Sequence, residues 1–169
     1  MTRSGDGAAP APLTPARARV VAITLLSRRE YTAHEVETKL LERGCSAETA
    51  ATVIAALVAE GLVDDRRAAA AHVRTATGLK GRGRHRIERE LAGRGIAKDV
   101  ARDLLREMTP EAEVAAIRRI LMRKQIPPRP DPAARRRLFQ HLLRRGFSSD
   151  AVAKALRGGK GEMDDSIDD

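Results

Sequence analysis

The chain has 169 residues and a formal net charge of +9, from 32 Lys and Arg against 23 Asp and Glu. A single Cys excludes an internal disulfide framework, and with no Trp, 1 Tyr and 2 Phe the core must be aliphatic. No apolar run is long enough to cross a membrane and no signal-peptide pattern opens the chain, so a cytoplasmic location is expected. The charge is unevenly placed: Glu162, Asp164, Asp165, Asp168 and Asp169 leave residues 1–161 with +14. Such a body attracts polyanions or acidic protein surfaces.

Residues 1–13 are rich in Gly, Ala and Pro and read as a disordered tail. Thr14-Pro15 is a helix start, with Thr as N-cap and Pro at the first helical position, and Val20, Ile23 and Leu26, beside Leu25, form its apolar stripe. A second helix runs from about Thr32 to Arg43 and stops at Gly44. A third opens at Ser46 or Ala47, carries Val53, Ile54, Leu57 and Val58, and ends at Gly61. Asp64 and Asp65 cap the next helix. Gly78–Arg84 reads as a flexible basic loop, a helix follows to Arg94, and another spans about Lys98 to Met108. Thr109-Pro110 repeats the Thr-Pro start, with Val114, Ile117, Ile120 and Leu121 at helical spacing. Four prolines between Pro127 and Pro132 forbid helix and favour an extended connector. Two last helices cover about 133–145 and 149–157, and residues 158–169 read as a flexible acidic tail.

One unit recurs through these elements. Val36-x-x-x-Leu40-x-x-Arg43-Gly44, Ile87-x-x-x-Leu91-x-x-Arg94-Gly95 and Leu138-x-x-x-Leu142-x-x-Arg145-Gly146 are each offset by 51 residues. Glu48, Asp99 and Asp150 stand four residues past the glycines, and Ile54, Leu105 and Leu156 ten past. The fold class expected is therefore all-α, with three tandem three-helix repeats, about nine helices, in an elongated, curved or straight array. The boundaries are 14–61, 62–108 and 109–157. Cys45 shares a column with Ile96 and Phe147 and reads as a packing residue.

The middle repeat carries Arg74, Lys80, Arg82, Arg84, His85, Arg86 and Arg89. In the third, Asp131 is the one acid between Arg118 and Arg145, a stretch holding Arg118, Arg119, Arg123, Lys124, Arg129, Arg135, Arg136, Arg137 and Arg144. Acids are too few there to pair with the cations. Arginine binds phosphate bidentately, and a glycine loop lets backbone N–H groups approach it. With hardly any aromatic to stack on a base, contacts should be charge-dominated and nearly sequence-neutral. The glycine loop lacks the Gly-Lys-[Ser/Thr] ending and the preceding strand of a P-loop. His34, His72, His85 and His141 show no metal-ligand spacing, and Glu35, Glu37, Asp64 and Asp65 read as helix caps. No catalytic, metal or cofactor site is expected, and the chain reads as a non-enzyme.

Tyr31-Thr32-x-x-Glu35-Val36-x-x-Lys39-Leu40-x-x-Arg43-Gly44 resembles the opening repeat of the RecX family. Gly61-Leu62-Val63-Asp64-Asp65-x-Arg67-x-Ala69, Val73-Arg74 and Gly81-x-Gly-x-x-x-Ile87-x-x-Glu90-Leu91-x-x-Arg94-Gly95-Ile96 resemble its second repeat. Leu142-x-x-Arg145-Gly146-Phe147-Ser148 resembles its third, and the likeness covers about residues 17–157. Ala68 stands where that family usually has an aromatic, and Arg84 where it often has Pro. The resemblance implies a regulator, mainly an inhibitor, of the RecA recombinase. It would bind in the groove of the RecA–single-stranded DNA filament and modulate recombination, ATPase and coprotease activities. Arg74, Lys80, Arg82, Arg84, Arg86 and Arg89, with Arg135, Arg136 and Arg137, are the expected contacts to RecA and to single- or double-stranded DNA. The chain is expected to be a monomer without a membrane partner. The alternative is a RecA-independent, nonspecific nucleic-acid-binding helical repeat protein. For residues 162–169 two readings stand: a segment that folds back and screens the basic body, or a solubility element.

Overall fold

A computed structural model describes residues 13–128 and 130–157. The segments read as tails, 1–12 and 158–169, lie outside the described residues, as does Arg129. Leu13, assigned to the first tail, packs against a core, and its N–H donates to Gly44 O at 3.4 Å. The described residues form nine α-helices and no strand: α1 Pro15–Leu26, α2 Ala33–Leu41, α3 Ala47–Ala59, α4 Asp65–Gly78, α5 Arg84–Gly93, α6 Lys98–Leu104, α7 Pro110–Arg123, α8 Pro132–Arg144 and α9 Ser149–Leu156. They group as three tandem three-helix domains, the expected fold class.

The starts follow local chemistry. Thr14, Thr32, Ser46, Thr109, Asp131 and Ser148 are N-caps whose side-chain oxygens accept a backbone N–H of the first turn, satisfying donors that have no intrahelical partner. Thr32 and Glu35 form a reciprocal capping box. Asp64 Oδ1 accepts the Arg67 N–H at 2.9 Å at the start of α4. The described residues of the proline connector, Pro127, Pro128, Pro130 and Asp131, are non-helical, and Pro132 opens α8. The helix expected to reach Met108 ends at Leu104.

By packing, the chain divides into two compact units: the described residues up to Ala71 with Gly93–Ala97, and His72–Ala92 with Lys98 onward. In the first unit, Ala18, Ala22, Val36, Leu40, Cys45, Ala50, Val53, Leu57 and Val63 form the core. The stripe expected on α1 is corrected here. Ala18, Ala22 and Leu25 are buried, while Val20 and Ile23 are 64% and 42% exposed. Alanines let helix backbones approach closely, so the larger β-branched residues turn outward. In the second unit, Val114, Ile117, Ile120, Leu142, Phe147, Ala151, Val152, Ala155 and Leu156 form the core.

Each unit contains a joint between consecutive repeats, and the two joints are built alike. In the first, the Thr32 hydroxyl donates to Arg94 O at 2.7 Å, and the Ala33 N–H donates to Asp65 Oδ1 at 2.7 Å. In the second, the Gly83 N–H donates to Arg145 O at 2.8 Å, and the Arg84 N–H donates to Glu113 Oε1 at 3.2 Å. Thr32 and Gly83, Ala33 and Arg84, and Arg94 and Arg145 are pairs 51 residues apart. The starts of α2 and α5 are thus each covered by the Arg-Gly turn and by one first-helix acid of the next repeat. The turns come very close. A Cβ on Gly95 would lie 2.6 Å from His34 Cβ, and one on Gly146 2.4 Å from the Arg86 backbone N. Both glycines have positive φ, +78° and +87°, which side chains rarely adopt.

Candidate contact surface

All nine expected contact residues fall in the second unit. The Gly78–Arg84 loop, expected to be flexible, is tied down. Arg145 Nε donates to Gly81 O at 3.1 Å, its Nη2 donates to Lys80 O, and the Arg82 N–H donates to Ala76 O at 2.9 Å. Gly83 has no room for a side chain, since a Cβ would sit 2.3 Å from the Phe147 N. Gly83 thus serves a close backbone approach, whereas a Cβ on Gly81 would meet the Ile120 side chain at 3.2 Å and one on Gly78 would meet nothing within 4 Å.

The structure sorts the expected cations into two sets. Arg82, Arg84 and Arg86 are half-buried and engaged internally. Glu90 on α5 receives Arg82 Nη1, Arg86 Nε at 2.9 Å and His72 Nε2 at 3.0 Å. Burial pushes the Glu90 carboxyl up, but hydrogen bonds from Arg86, His72 and Arg82 outweigh it and hold the group below its ordinary range. Arg84 pairs with Glu88 at 3.0 Å, and its Nη1 donates at 2.7 Å to the carbonyl of Leu105, the residue that follows α6. The second set is exposed: Arg74, Lys80, Arg89, Arg135, Arg136 and Arg137. Among the described residues none of these six makes an ion pair. Arg89 Nε reaches only His85 O, at 3.4 Å. Unpaired exposed cations keep their full charge for a ligand; those bound to Glu90 and Glu88 have spent part of it.

Two features escaped the sequence reading. The first is Glu113, 4% exposed. Besides the Arg84 N–H it accepts the Ser148 hydroxyl at 2.7 Å and the Ser148 N–H at 3.3 Å. Its carboxylate therefore faces the positive N-terminal ends of both α5 and α9. Local sequence gives no sign of this, because an acid in the first turn of a helix is ordinarily solvated. The second is a groove of about 870 Å³ between the end of α7, the proline connector and α8. Ile120, Leu121, Ile126, Leu138 and Leu142 line its floor, and Lys124, Arg136, Arg137 and Arg144 line its rim. His141 also faces it; burial first, then Arg145, Lys124 and Arg144, push this imidazole below its ordinary value. The signal available was the helical spacing of Arg137, His141 and Arg144 on α8.

Among the described residues no helix is long and apolar enough to cross a membrane, and no cluster of His, Cys, Asp or Glu is placed to hold a metal ion. Cys45 is buried and unbridged.

Three family models match the chain in order: the RecX first three-helix domain over residues 18–57, the second over 64–105 and the third over 111–156. The regulatory protein RecX of Chromohalobacter salexigens is 35% identical over 80% of this chain and 88% of its own length. That of Pseudomonas putida strain F1 is 35% identical over 86% and 92%. A crystal structure of RecX from Lactobacillus salivarius superposes with a TM-score of 0.70 at 24% identity, covering 85% of this chain and 94% of that one.

Proposed function

Because the chain belongs to the RecX family of regulatory proteins, we propose that it is a non-enzymatic, cytoplasmic and monomeric regulator, mainly an inhibitor, of the RecA recombinase. It acts on the filament that RecA forms on single-stranded DNA. The repeats at 14–61, 62–108 and 109–157 lie in the filament groove and touch several protomers and nearby phosphates at once. Many weak contacts on one chain raise avidity without any single strong site.

The observation that carries this reading is the split among the cations. Arg74, Lys80, Arg89, Arg135, Arg136 and Arg137 are exposed and without acidic partners among the described residues. They are the contacts proposed to meet RecA and DNA directly. Arg82, Arg84 and Arg86 shape the surface that presents them and add charge at its edge. Salt dependence follows from the same residues: each lost phosphate contact flattens the log–log salt slope by about 0.7 on a single strand.

The test is RecA ATPase on single-stranded DNA with and without the protein. Inhibition is expected, and Glu substitutions at the six exposed positions should abolish it while the helical content stays unchanged. Inhibition that survives those substitutions would remove the contact assignment. The competing reading, nucleic-acid binding without RecA, predicts equal binding to bare DNA and to the RecA filament at moderate salt. The proposed function predicts preference for the filament.

A further inference from the structure

The groove between α7, the connector and α8 combines two properties that ask for one kind of occupant. Its floor is aliphatic, with no Phe, Tyr or Trp for a nucleobase to stack on, and His141 is the one imidazole among its lining residues. Among the described residues its rim cations Lys124, Arg136, Arg137 and Arg144 have no ion pair. The one acid lining it, Asp131, is engaged as the α8 N-cap and accepts the Ala134 N–H at 2.8 Å. A fitting ligand carries bulky aliphatic side chains flanked by carboxylates.

Residues 162–169, Glu-Met-Asp-Asp-Ser-Ile-Asp-Asp, have that composition. Met163 and Ile167 are each bordered by acids, and Gly158-Gly159-Lys160-Gly161 joins them to the end of α9. We propose that the groove is the docking site for residues 162–169 of the same chain. Met163 and Ile167 enter the apolar floor, and the acids beside them pair with Lys124, Arg136, Arg137 and Arg144.

Chain length permits it. Ile167 is ten residues past Arg157, a reach on the order of 35 Å when extended. A unit of about 80 residues has a radius of gyration near 12 Å, so a large part of its surface lies within that reach. α8, which forms one wall, packs against α9 in the same core. Tethering supplies an effective concentration of about 1 mM, so a contact with a dissociation constant of about 0.1 mM in trans is roughly 90% occupied in cis. While docked, the segment covers Arg136 and Arg137, two of the six proposed contacts. The inference deepens the expected screening of the basic body by giving it an address and apolar anchors.

The experiment needs neither RecA nor DNA, so its failure is distinct from failure of the proposed function. Backbone amide NMR spectra of the full chain are compared with those of a chain ending at Gly161. Shift differences should concentrate at Leu121, Ala134, Leu138 and Gln140. A synthetic peptide of residues 158–169, added to the shortened chain, should restore them. Met163→Asn with Ile167→Asn, which keeps every charge, should weaken the peptide at least about fivefold. Differences spread over Arg74, Arg118 and other distant cations, or full binding by the Asn peptide, would reduce the contact to diffuse charge attraction and overturn the proposal. Shifts that grow with protein concentration would make the occupant a second copy, and identical spectra would leave the groove to another protein; either result also overturns it.

Discussion

The two joints use one plan with opposite charge at its centre. In the first, Arg94 Nη2 pairs with Glu35 Oε2 at 2.7 Å, and Arg29 meets the other oxygen of that carboxylate at 3.2 Å. In the second, the column of Glu35 is filled by Arg86. Arg145 has no carboxylate to meet there, turns to the carbonyls of Gly81 and Lys80, and so pins the glycine loop. Arg86 is neutralised from its own helix by Glu90. One exchanged residue thus converts an ion-paired joint into a backbone-bonded one. The same geometry then holds the glycine loop in place without using up the side chains of Arg74 or Lys80.

The largest expected effect tests whether close approach is common to both joints. Gly146→Ala and Gly95→Ala should each cost about 2–4 kcal/mol, from positive-φ strain plus the clash with Arg86 or His34. Gly44→Ala, with φ +80° and nothing within 4 Å, should cost only about 1 kcal/mol. Thermal melts of the three variants check this, and equal losses would mean that only the turn conformation matters. Next come the acids. Glu113→Ala leaves three donors without their acceptor and should cost about 3 kcal/mol, whereas Asp65→Ala should cost about 1 kcal/mol, since Asp65 is only half-buried and accepts a single N–H across its joint. Hydrogen exchange at the Arg84 and Ala33 amides reads the two joints separately.

Smaller than the loss at Glu113 are those at the arginines. Arg94→Ala removes the closer of the two arginines on half-buried Glu35 and should destabilise the first joint by about 2 kcal/mol. Arg145→Ala should instead speed exchange across residues 79–83 with little change in the melt. The smallest effect is that of pH. Burial pushes the Glu35 carboxyl up, but hydrogen bonds from the Thr32 backbone, Arg94 and Arg29 hold it below its ordinary value. Its stabilisation is therefore complete above the unfolded carboxylate pKa of about 4.3 and is lost as pH falls through the lower folded value. Glu35→Gln should flatten the acid limb of a stability–pH curve for the first joint more than for the second.

The helix starts and the threefold pattern were legible because caps and glycine turns are local chemistry. The glycines at 44, 95 and 146 were readable as turns; that two of the three also admit a neighbouring helix was not, because that constraint comes from residues at least 60 positions away. The α1 stripe was misread because hydrophobicity ranks Val20 and Ile23 above the alanines that the packing selects. The partners of Arg84 and Arg86 lay in plain view: Glu88 and Glu90 stand four residues further along the same helix. Counting cations without that spacing made a partly neutralised cluster read as free charge.

The third repeat offers no counterpart to the sockets at Ala33 and Arg84. At α8 the first helical position is Pro132, which has no N–H, and the Ala134 N–H is already taken by Asp131. A further copy docked in the same way would find no N–H at the first helical position on which to seat its acid. Restoring a hydrogen at that nitrogen is therefore the first change α8 would need before it could offer a socket like those at Ala33 and Arg84.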